Sequence, residues 1–312
     1  MKKEIDFGII IGPTAVGKTS MSIKLAKALN AEIISGDSMQ IYKQLDIGTA
    51  KISSDEMEGV PHHLIDFLDP SASYSVADFQ RDVREKISEI KSRNKFPLIV
   101  GGTGLYIQAV LYDYQFVEEK TDDTIRRKLE EKREQEGIEK LYEELLGIDP
   151  SAKDAIHPNN HRRVIRALEI FYQTGKTLSE QQQNQVSAPL YHAPIVGLTM
   201  DRELLYRRIN QRVDIMMAKG LLQEVESLKK AGVDEVQSVQ AIGYKELYDY
   251  LEGKYTLEEA IELIKQQSRR YAKRQLTWFR NKMDVQWFDL TNEKAHGEIY
   301  EEILHIFKGE SK

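Results

Sequence analysis

The sequence predicts an α/β fold built on one parallel sheet, and three observations carry that prediction. Short apolar runs alternate with helix-patterned segments from the N-terminus onward. The first run leads straight into a glycine-rich octapeptide that opens a helical pattern. Two later runs end in polar or glycine-rich turns, Gly36-Asp37-Ser38-Met39-Gln40 and Gly101-Gly102-Thr103-Gly104. Strands alternating with helices imply βαβ units. Ligands of such sheets bind beyond the C-terminal strand ends, where these three loops would lie.

Phe7–Ile11 is the first expected strand. The octapeptide after it, Gly12-Pro13-Thr14-Ala15-Val16-Gly17-Lys18-Thr19, fits G-x-x-x-x-G-K-[ST]. Its glycines let the backbone curl so that successive N–H groups converge on an anion. The following helix, expected over Thr19–Leu29, adds its positive N-terminal end. Lys18 supplies a point charge, and the Thr19 hydroxyl suits Mg²⁺. The expected fold is therefore a P-loop NTPase-like parallel sheet flanked by helices. The octapeptide indicates a polyphosphate without saying which one, or whether a phosphoryl group moves.

Ala31–Ser35 is the second strand, His63–Phe67 the third and Leu98–Val100 the fourth. A helix over Ala77–Arg93 separates the last two, and Ser75 with Asp78 signals its N-terminal cap. From about Glu118 to Tyr191 the chain is charge-dense and helix-patterned, without a strong strand signal. Ile195–Met200 then reads as a fifth strand, followed by helices rich in Arg and Lys, and Asn292–Lys312 as a closing helix and tail. The expected organisation is a catalytic core of residues 1–115 and 195–312, interrupted by an all-helical insertion domain, residues 116–194.

The chain has 312 residues, of which 30% are charged and 41% hydrophobic. These are ordinary proportions for a soluble protein. Without Cys, disulfides and Cys-ligated zinc are excluded, and a reducing cytoplasm is expected. No run approaches the ~20 apolar residues of a membrane helix. A net charge of −6 argues against indiscriminate nucleic-acid binding but allows local basic patches. His62, His63, His157 and His161 lack a third ligand at convincing spacing, so they are expected to be structural or surface histidines.

Asp37 follows the second strand and should face the phosphate loop, as a base or a metal-assisting acid; the plainer alternative is a loop-capping Asp. Ser38 and Gln40 are short polar groups able to orient a substrate. Thr103 would be a hydroxyl donor in a turn that approaches a ligand closely, or part of a mere strand-to-helix turn. Arg208 and Arg212, four apart, share a helix face and suit a diphosphate; a solvated face is the alternative. Residues 265–282 carry Lys265, Arg269, Arg270, Lys273, Arg274, Arg280 and Lys282 with no acidic residue, and Tyr271, Trp278 and Phe279 interleave. A basic ridge with aromatics reads as a nucleic-acid contact; a solvated helix with its aromatics in the core would look the same. Arg162, Arg163 and Arg166 form a second basic set.

Three enzyme or switch classes fit a phosphate loop. A nucleotide or small-metabolite kinase would need a mobile arginine-bearing lid. A regulatory GTPase would need N-K-x-D, but Asn94-Lys95-Phe96-Pro97 lacks the Asp and precedes a strand. An enzyme acting on nucleic acid with a pyrophosphate-bearing donor would use the basic ridge and the insertion.

Seven runs resemble the tRNA dimethylallyltransferase (tRNA isopentenyltransferase) family. They are GPTAVGKT (12–19), DSMQIYKQLDIGTAK (37–51), PHHLID (61–66), GGTGLY (101–106), RVIRALE (163–169), AIGYKE (241–246) and KRQLTWFR (273–280). They keep the family's order and span roughly residues 8–282, and the second run is long and specific. Lys43-Gln44 departs from the family's Arg-Gly. The zinc finger of eukaryotic relatives is missing, so the bacterial type is expected. The resemblance implies transfer of a dimethylallyl group from dimethylallyl diphosphate to N6 of the adenosine 3′-adjacent to the anticodon, in tRNAs reading codons that begin with U. The products would be N6-dimethylallyladenosine and pyrophosphate, and the kinase is the alternative.

On that resemblance, Gly12 to Thr19 would bind the diphosphate that leaves, with Mg²⁺ on Thr19, and an ATP-binding label there would be a motif inference only. Asp37 would be the general base and Thr103 would help hold the target base, while Arg208 and Arg212 would stabilise the leaving group. Ser38, Met39 and Gln40 would line the channel for a flipped adenosine. Arg126, Arg162, Arg163 and Arg166 would grip the anticodon stem-loop. Gln240, Gly243, Lys245, Lys273, Arg274 and Arg280 would complete the tRNA surface. A monomer, with no membrane association, is expected.

Overall fold

The computed structural model describes residues 4–114, 123–183 and 188–310. Six strands form one sheet: β1 (Gly8–Ile11), β2 (Ala31–Gly36), β3 (His62–His63), β4 (Phe96–Gly101), β5 (Ile195–Thr199) and β6 (Gln286–Asp289). All pairs are parallel, in the spatial order β3-β2-β4-β1-β5-β6. The chain runs outward from β1 in opposite directions, to β2 on one side and to β5 on the other. Such a topological switch point opens a crevice beyond the strand ends. The parallel α/β fold expected from the sequence is therefore present.

Central strands of a parallel sheet are covered on both faces, so they need continuous apolar runs. β1 is Gly-Ile-Ile-Ile and wholly buried. Ile9 and Ile11 enter one core, and Ile10 the other. Ile34 and Ile33 divide the same way, as do Ile99 and Leu98. The helices are α1 (Lys18–Leu29), α2 (Val76–Ser92), α3 (Gly104–Leu111), α4 (Asp123–Glu136), α5 (Ile138–Ile148), α6 (Ala152–Ala155), α7 (His161–Thr174), α8 (Leu178–Gln183), α9 (Arg202–Ala218), α10 (Leu221–Lys230), α11 (Tyr244–Leu251), α12 (Leu257–Lys282) and α13 (His296–Phe307). Phe79 and Val83 of α2 and Ile107 and Val110 of α3 cover one face, and α10 and α11 add to that core. Met21 and Leu25 of α1, Leu205 and Ile209 of α9, and Ile303 and Phe307 of α13 cover the other. The Ser75 cap expected for α2 is a full capping box with Asp78.

One strand expectation needs correction, and one strand has no counterpart among the expected ones. Of the expected strand His63–Phe67 only His63 pairs with β2, next to His62 before it. Leu64 and Asp66 then take φ of 55°, so the chain cannot stay extended, and the Phe67 and Leu68 N–H groups turn to the Ile41 carbonyl. β6 was not foreseen. It is an edge strand whose one buried residue is Phe288, too short for a periodic signal.

The chain divides into two compact units, one of Met1–Tyr112 with Pro189–Lys312 and one of Asp113–Ala188. The expected start of the insertion, near 116–118, lies outside the described residues. On the other side, Tyr112 bridges Pro189 and the Leu190 N–H donates to the Leu111 carbonyl at 2.8 Å. The Asp6 N–H likewise donates to the His192 carbonyl at 2.9 Å, so residues 189–194 run with the sheet. The smaller unit is all-helical among its described residues and packs Leu129, Leu141, Leu145, Val164, Ile165 and Leu168 into its own core. Among the described residues no helix is long and apolar enough to cross a membrane.

Candidate active site

Three loops from the C-terminal ends of β1, β2 and β4 meet in one cleft. The first is the phosphate loop. Gly17 caps α1 at φ 107°, in a region that favours glycine. Residues Thr14 to Thr19 line a polar lobe of about 270 Å³. The Lys18 ammonium donates to the carbonyls of Gly12 (2.9 Å) and Pro13 (2.8 Å), so these two residues position Lys18 and are not part of the lobe wall. Burial pushes the Lys18 pKa down to about 8; the Arg212 charge acts in the same direction and the Asp37 charge opposes it.

The second and third loops are joined. β2 and β4 are neighbours, with Gly36 opposite Gly101. A Cβ on Gly101 would lie 2.2 Å from the Gly36 carbonyl oxygen, so only glycine lets the two strand ends close up. The Thr103 N–H donates to the Gly36 carbonyl at 3.3 Å, and its hydroxyl oxygen accepts from the Ser38 N–H at 3.2 Å. Thr103 thus braces the Asp37 loop from behind. Asp37 lines both lobes of the cleft. Its Oδ1 accepts from the N–H groups of Met39 (2.8 Å) and Gln40 (3.3 Å). The loop-capping and site-facing alternatives therefore hold together, one per oxygen: among the described residues Oδ2 takes no hydrogen bond. The Gln40 amide donates to the Thr49 carbonyl at 3.1 Å, and Gln40 lines the polar lobe.

Helices α9 and α12 close the cleft. Arg212 and Tyr271 line both lobes, with Thr14, Asp37 and Thr49. Burial lowers the Arg212 pKa, against the opposing charges of Asp37 and Glu56. Burial also pushes the Tyr271 hydroxyl up to about 12, with the Asp37 charge adding to it. Beyond this junction opens a second lobe of about 330 Å³, with apolar walls from Met39, Ile209, Val213, Met216, Ile242 and Ile264. Ser38, Gln240 and Gly243 also line it. Arg208 is not among the lining residues of either lobe. Its guanidinium lies 3.9 Å from the Met200 sulfur, so the expected Arg208/Arg212 pair is split.

The basic ridge expected over 265–282 is also divided. Lys265 pairs with Asp214 and Glu262, and Arg269 donates to the Asn210 amide oxygen at 2.5 Å. Arg270, Lys273, Arg274, Arg280 and Lys282 remain exposed. Arg274 lines the apolar lobe and lies over the Tyr271 ring; Arg280 lies over Trp287. The other two interleaved aromatics pack inward: Phe279 is fully buried, and Trp278 packs so closely that a Cβ on Gly104 would sit 2.2 Å from its ring. Lys245 is exposed at the start of α11. In the helical unit Arg126, Arg162 and Arg163 are exposed, and Arg166 pairs with the buried Glu169 at 2.9 Å. His63 lies against Glu32, at 2.7 Å.

Several site residues carry no motif signal. Thr49 stands in the sequence only as one member of a long run. Ile209, Val213, Met216 and Ile264 are ordinary apolar helix positions, and their convergence requires two helices far apart in the chain to meet. Tyr271 stands out only as an aromatic of the basic ridge and Gln275 only as one member of the 273–280 run; four apart on α12, they share a face. Glu224 of α10 accepts from the N–H groups of Asp46, Ile47 and Gly48 and from the Tyr244 hydroxyl, fastening the loop that carries Thr49.

A family model described as IPP transferase matches residues 40–282. The chain belongs to the IPP transferase family. Among its relatives, a tRNA dimethylallyltransferase of Bacillus subtilis (strain 168) is 64% identical over 283 residues, 91% of this chain and 90% of that protein. One from Bacillus pumilus is 58% identical over 301 residues, 96% of this chain and 95% of that protein. In structure, this family member is similar to the crystallised tRNA isopentenylpyrophosphate transferase of Bacillus halodurans, with TM-score 0.73 and 52% identity over 98% of both chains. It is also similar to a eukaryotic dimethylallyltransferase acting on tRNA, with TM-score 0.82 and 32% identity over 98% of this chain and 80% of that one.

Proposed function

We propose that this member of the IPP transferase family moves a dimethylallyl group from dimethylallyl diphosphate to N6 of the adenosine 3′-adjacent to the anticodon. The tRNAs would be those reading codons that begin with U. One observation carries the proposal: Asp37, Tyr271 and Arg212 stand where an anion-binding lobe meets an apolar one. A phosphoryl acceptor site would not need apolar walls of this extent beside the phosphate loop. A diphosphate attached to a hydrocarbon does need both environments, side by side. The P-loop kinase alternative is not favoured, since relatives at 64% identity carry the tRNA dimethylallyltransferase name.

In this assignment the phosphate-loop amides, Lys18 and Arg212 hold the diphosphate and stabilise charge as the carbon–oxygen bond loosens. The apolar lobe, with Ile209, Val213 and Met216, shelters the allylic carbons from water. The N6 amine is a poor nucleophile that must lose a proton as the carbon–nitrogen bond forms. Asp37 takes that proton on Oδ2, while its Oδ1 keeps the loop in place. Thr19 lines the same lobe as the diphosphate would, and Mg²⁺ suits a site with few protein oxygens beside phosphate oxygens. When bound there, the ion would neutralise charge on the leaving group. Ser38, Met39, Gln240 and Gly243 line the route for a flipped adenosine. Thr103 acts through Ser38. Lys245, Lys273, Arg274 and Arg280, with Arg126, Arg162, Arg163 and Arg166 of the helical domain, take tRNA phosphates and set register. The protein would act in the cytoplasm as a monomer.

The test is direct. Incubation with labelled dimethylallyl diphosphate, Mg²⁺ and unmodified tRNA, followed by nuclease digestion, should yield labelled N6-dimethylallyladenosine. Label transfer from ATP instead would establish the kinase.

A further inference from the structure

We propose that Gln275 is a positioning residue that holds the phosphate loop in its anion-binding shape from the helix that carries the exposed cations; this rests on the diphosphate assignment above. Gln275 is buried, with 7% of its surface exposed, and it lies on α12, far in sequence from the loops it joins. Its Oε1 accepts from the Thr14 N–H at 3.0 Å. Its Nε2 donates to the Gly102 carbonyl at 2.9 Å. A backbone N–H can only donate and a carbonyl can only accept, so the two partners fix the amide in one orientation. At neutral pH no other side chain of this length offers one donor and one acceptor in that fork.

The contact is built into both loops. A Cβ on Gly102 would lie 2.2 Å from Nε2 and 3.5 Å from the Gly12 carbonyl, so glycine at 102 makes room for the amide beside the first loop. β1 and β4 are neighbours in the sheet. One side chain therefore pins the loops at both adjacent strand ends. It also commits the Thr14 N–H, and the diphosphate is left to the amides that follow, toward Thr19. On the same helix Tyr271 lines both lobes, while Lys273 and Arg274 are exposed. A shift of α12 under a bound polyanion would reach the phosphate loop through Gln275.

Two variants of the full chain test this. Gln275→Leu removes both hydrogen bonds at similar volume. Gln275→Glu keeps the acceptor for Thr14, but when ionised it sets an oxygen against the Gly102 carbonyl and a charge beside the anion lobe. Calorimetric Kd for pyrophosphate, KM for each substrate and kcat are measured. The Leu variant should weaken pyrophosphate binding and raise the donor KM about tenfold or more, as expected when buried polar partners are stranded. KM for tRNA should stay within about twofold, since the amide faces the loops and not the RNA surface. The Glu variant should be worse than Leu at neutral pH. It should recover relative to wild type as the pH is lowered toward about 5, because burial raises the carboxyl above its usual value of about 4.3 and, once protonated, it again offers one donor and one acceptor. A loss that came only from disturbed packing would show no such recovery. The proposal is overturned if the Leu variant binds pyrophosphate like wild type, if only the tRNA KM moves, or if the Glu deficit ignores pH. Should the Leu variant fail to fold, the Glu pH profile decides alone. A wild-type protein that neither binds pyrophosphate nor prenylates tRNA would instead refute the functional assignment itself.

Discussion

At the scale of single residues, the proposed assignment gives the chemistry to two charged groups, and the fold treats them differently. Asp37 divides its carboxylate between structure and function, with Oδ1 accepting two backbone N–H groups. Asn at this position can still accept those bonds, so Asp37→Asn should keep the fold and tRNA affinity. It cannot take the N6 proton, and kcat should fall by about 10²–10⁴; single-turnover prenylation with bound tRNA measures this, and near-normal rates would remove Asp37 from the base role. Lys18 is desolvated as a cation, and its pKa drops to about 8 from 10.5. The unfolded chain therefore binds that proton more tightly than the folded one. Without ligand, stability should rise as pH climbs from about 8 to 10.5, over and above the background from other groups. Thermal melts of wild type and Lys18→Met across that range isolate the contribution: the gap between them should change with pH, and a constant gap would contradict it.

At the scale of elements, the site depends on how closely strands and helices approach. Gly101 is the clearest case, because the atoms its Cβ would meet are the Gly36 backbone. Backbone cannot rotate away as a side chain can. Gly101→Ala should destabilise the protein by about 1–3 kcal/mol, the usual range for overpacking, and lower activity by spreading the Asp37 and Thr103 loops. Urea unfolding with activity measured in parallel checks both. The helix α12 shows a different division of labour. Its sequence reads as one basic stripe, yet Lys265 and Arg269 are occupied by α9 residues, Arg274 borders the cleft, and Phe279 is core. A helix of 26 residues turns all its faces to different neighbours, and charge density along the sequence cannot say which face is solvent.

At the scale of the molecule, an acidic chain with net charge −6 must bind a polyanion through local clusters. The exposed pair Arg270 and Lys273 lies in the sheet-containing unit, and Arg162 and Arg163 lie in the helical one. Replacing either pair by Ala should weaken tRNA binding and reduce the slope of log Kobs against log salt by about one for each phosphate no longer neutralised. Neither pair should alter pyrophosphate affinity. Filter binding over a salt series gives the slope, and an unchanged slope would exclude that pair from the RNA surface.

Much of this was legible in the sequence because it is local. The phosphate loop is eight consecutive residues, the capping box of Ser75 and Asp78 spans four, and the buried strands are unbroken apolar runs. Backbone curl, caps and strand burial depend on near neighbours, so motif and period report them. The long DSMQIYKQLDIGTAK run likewise carried the family assignment. Tertiary structure alone decided which residues meet. It placed Arg212 in the cleft and Arg208 against Met200, gathered Ile209, Val213, Met216 and Ile264 into one apolar lobe, and brought Gln275 to Thr14 and Gly102. It also ended β3 after two residues, through positive φ at Leu64 and Asp66. These outcomes depend on the packing of helices far apart in the chain, where a one-residue turn of about 100° moves a side chain from solvent to site. No local pattern encodes that rotation.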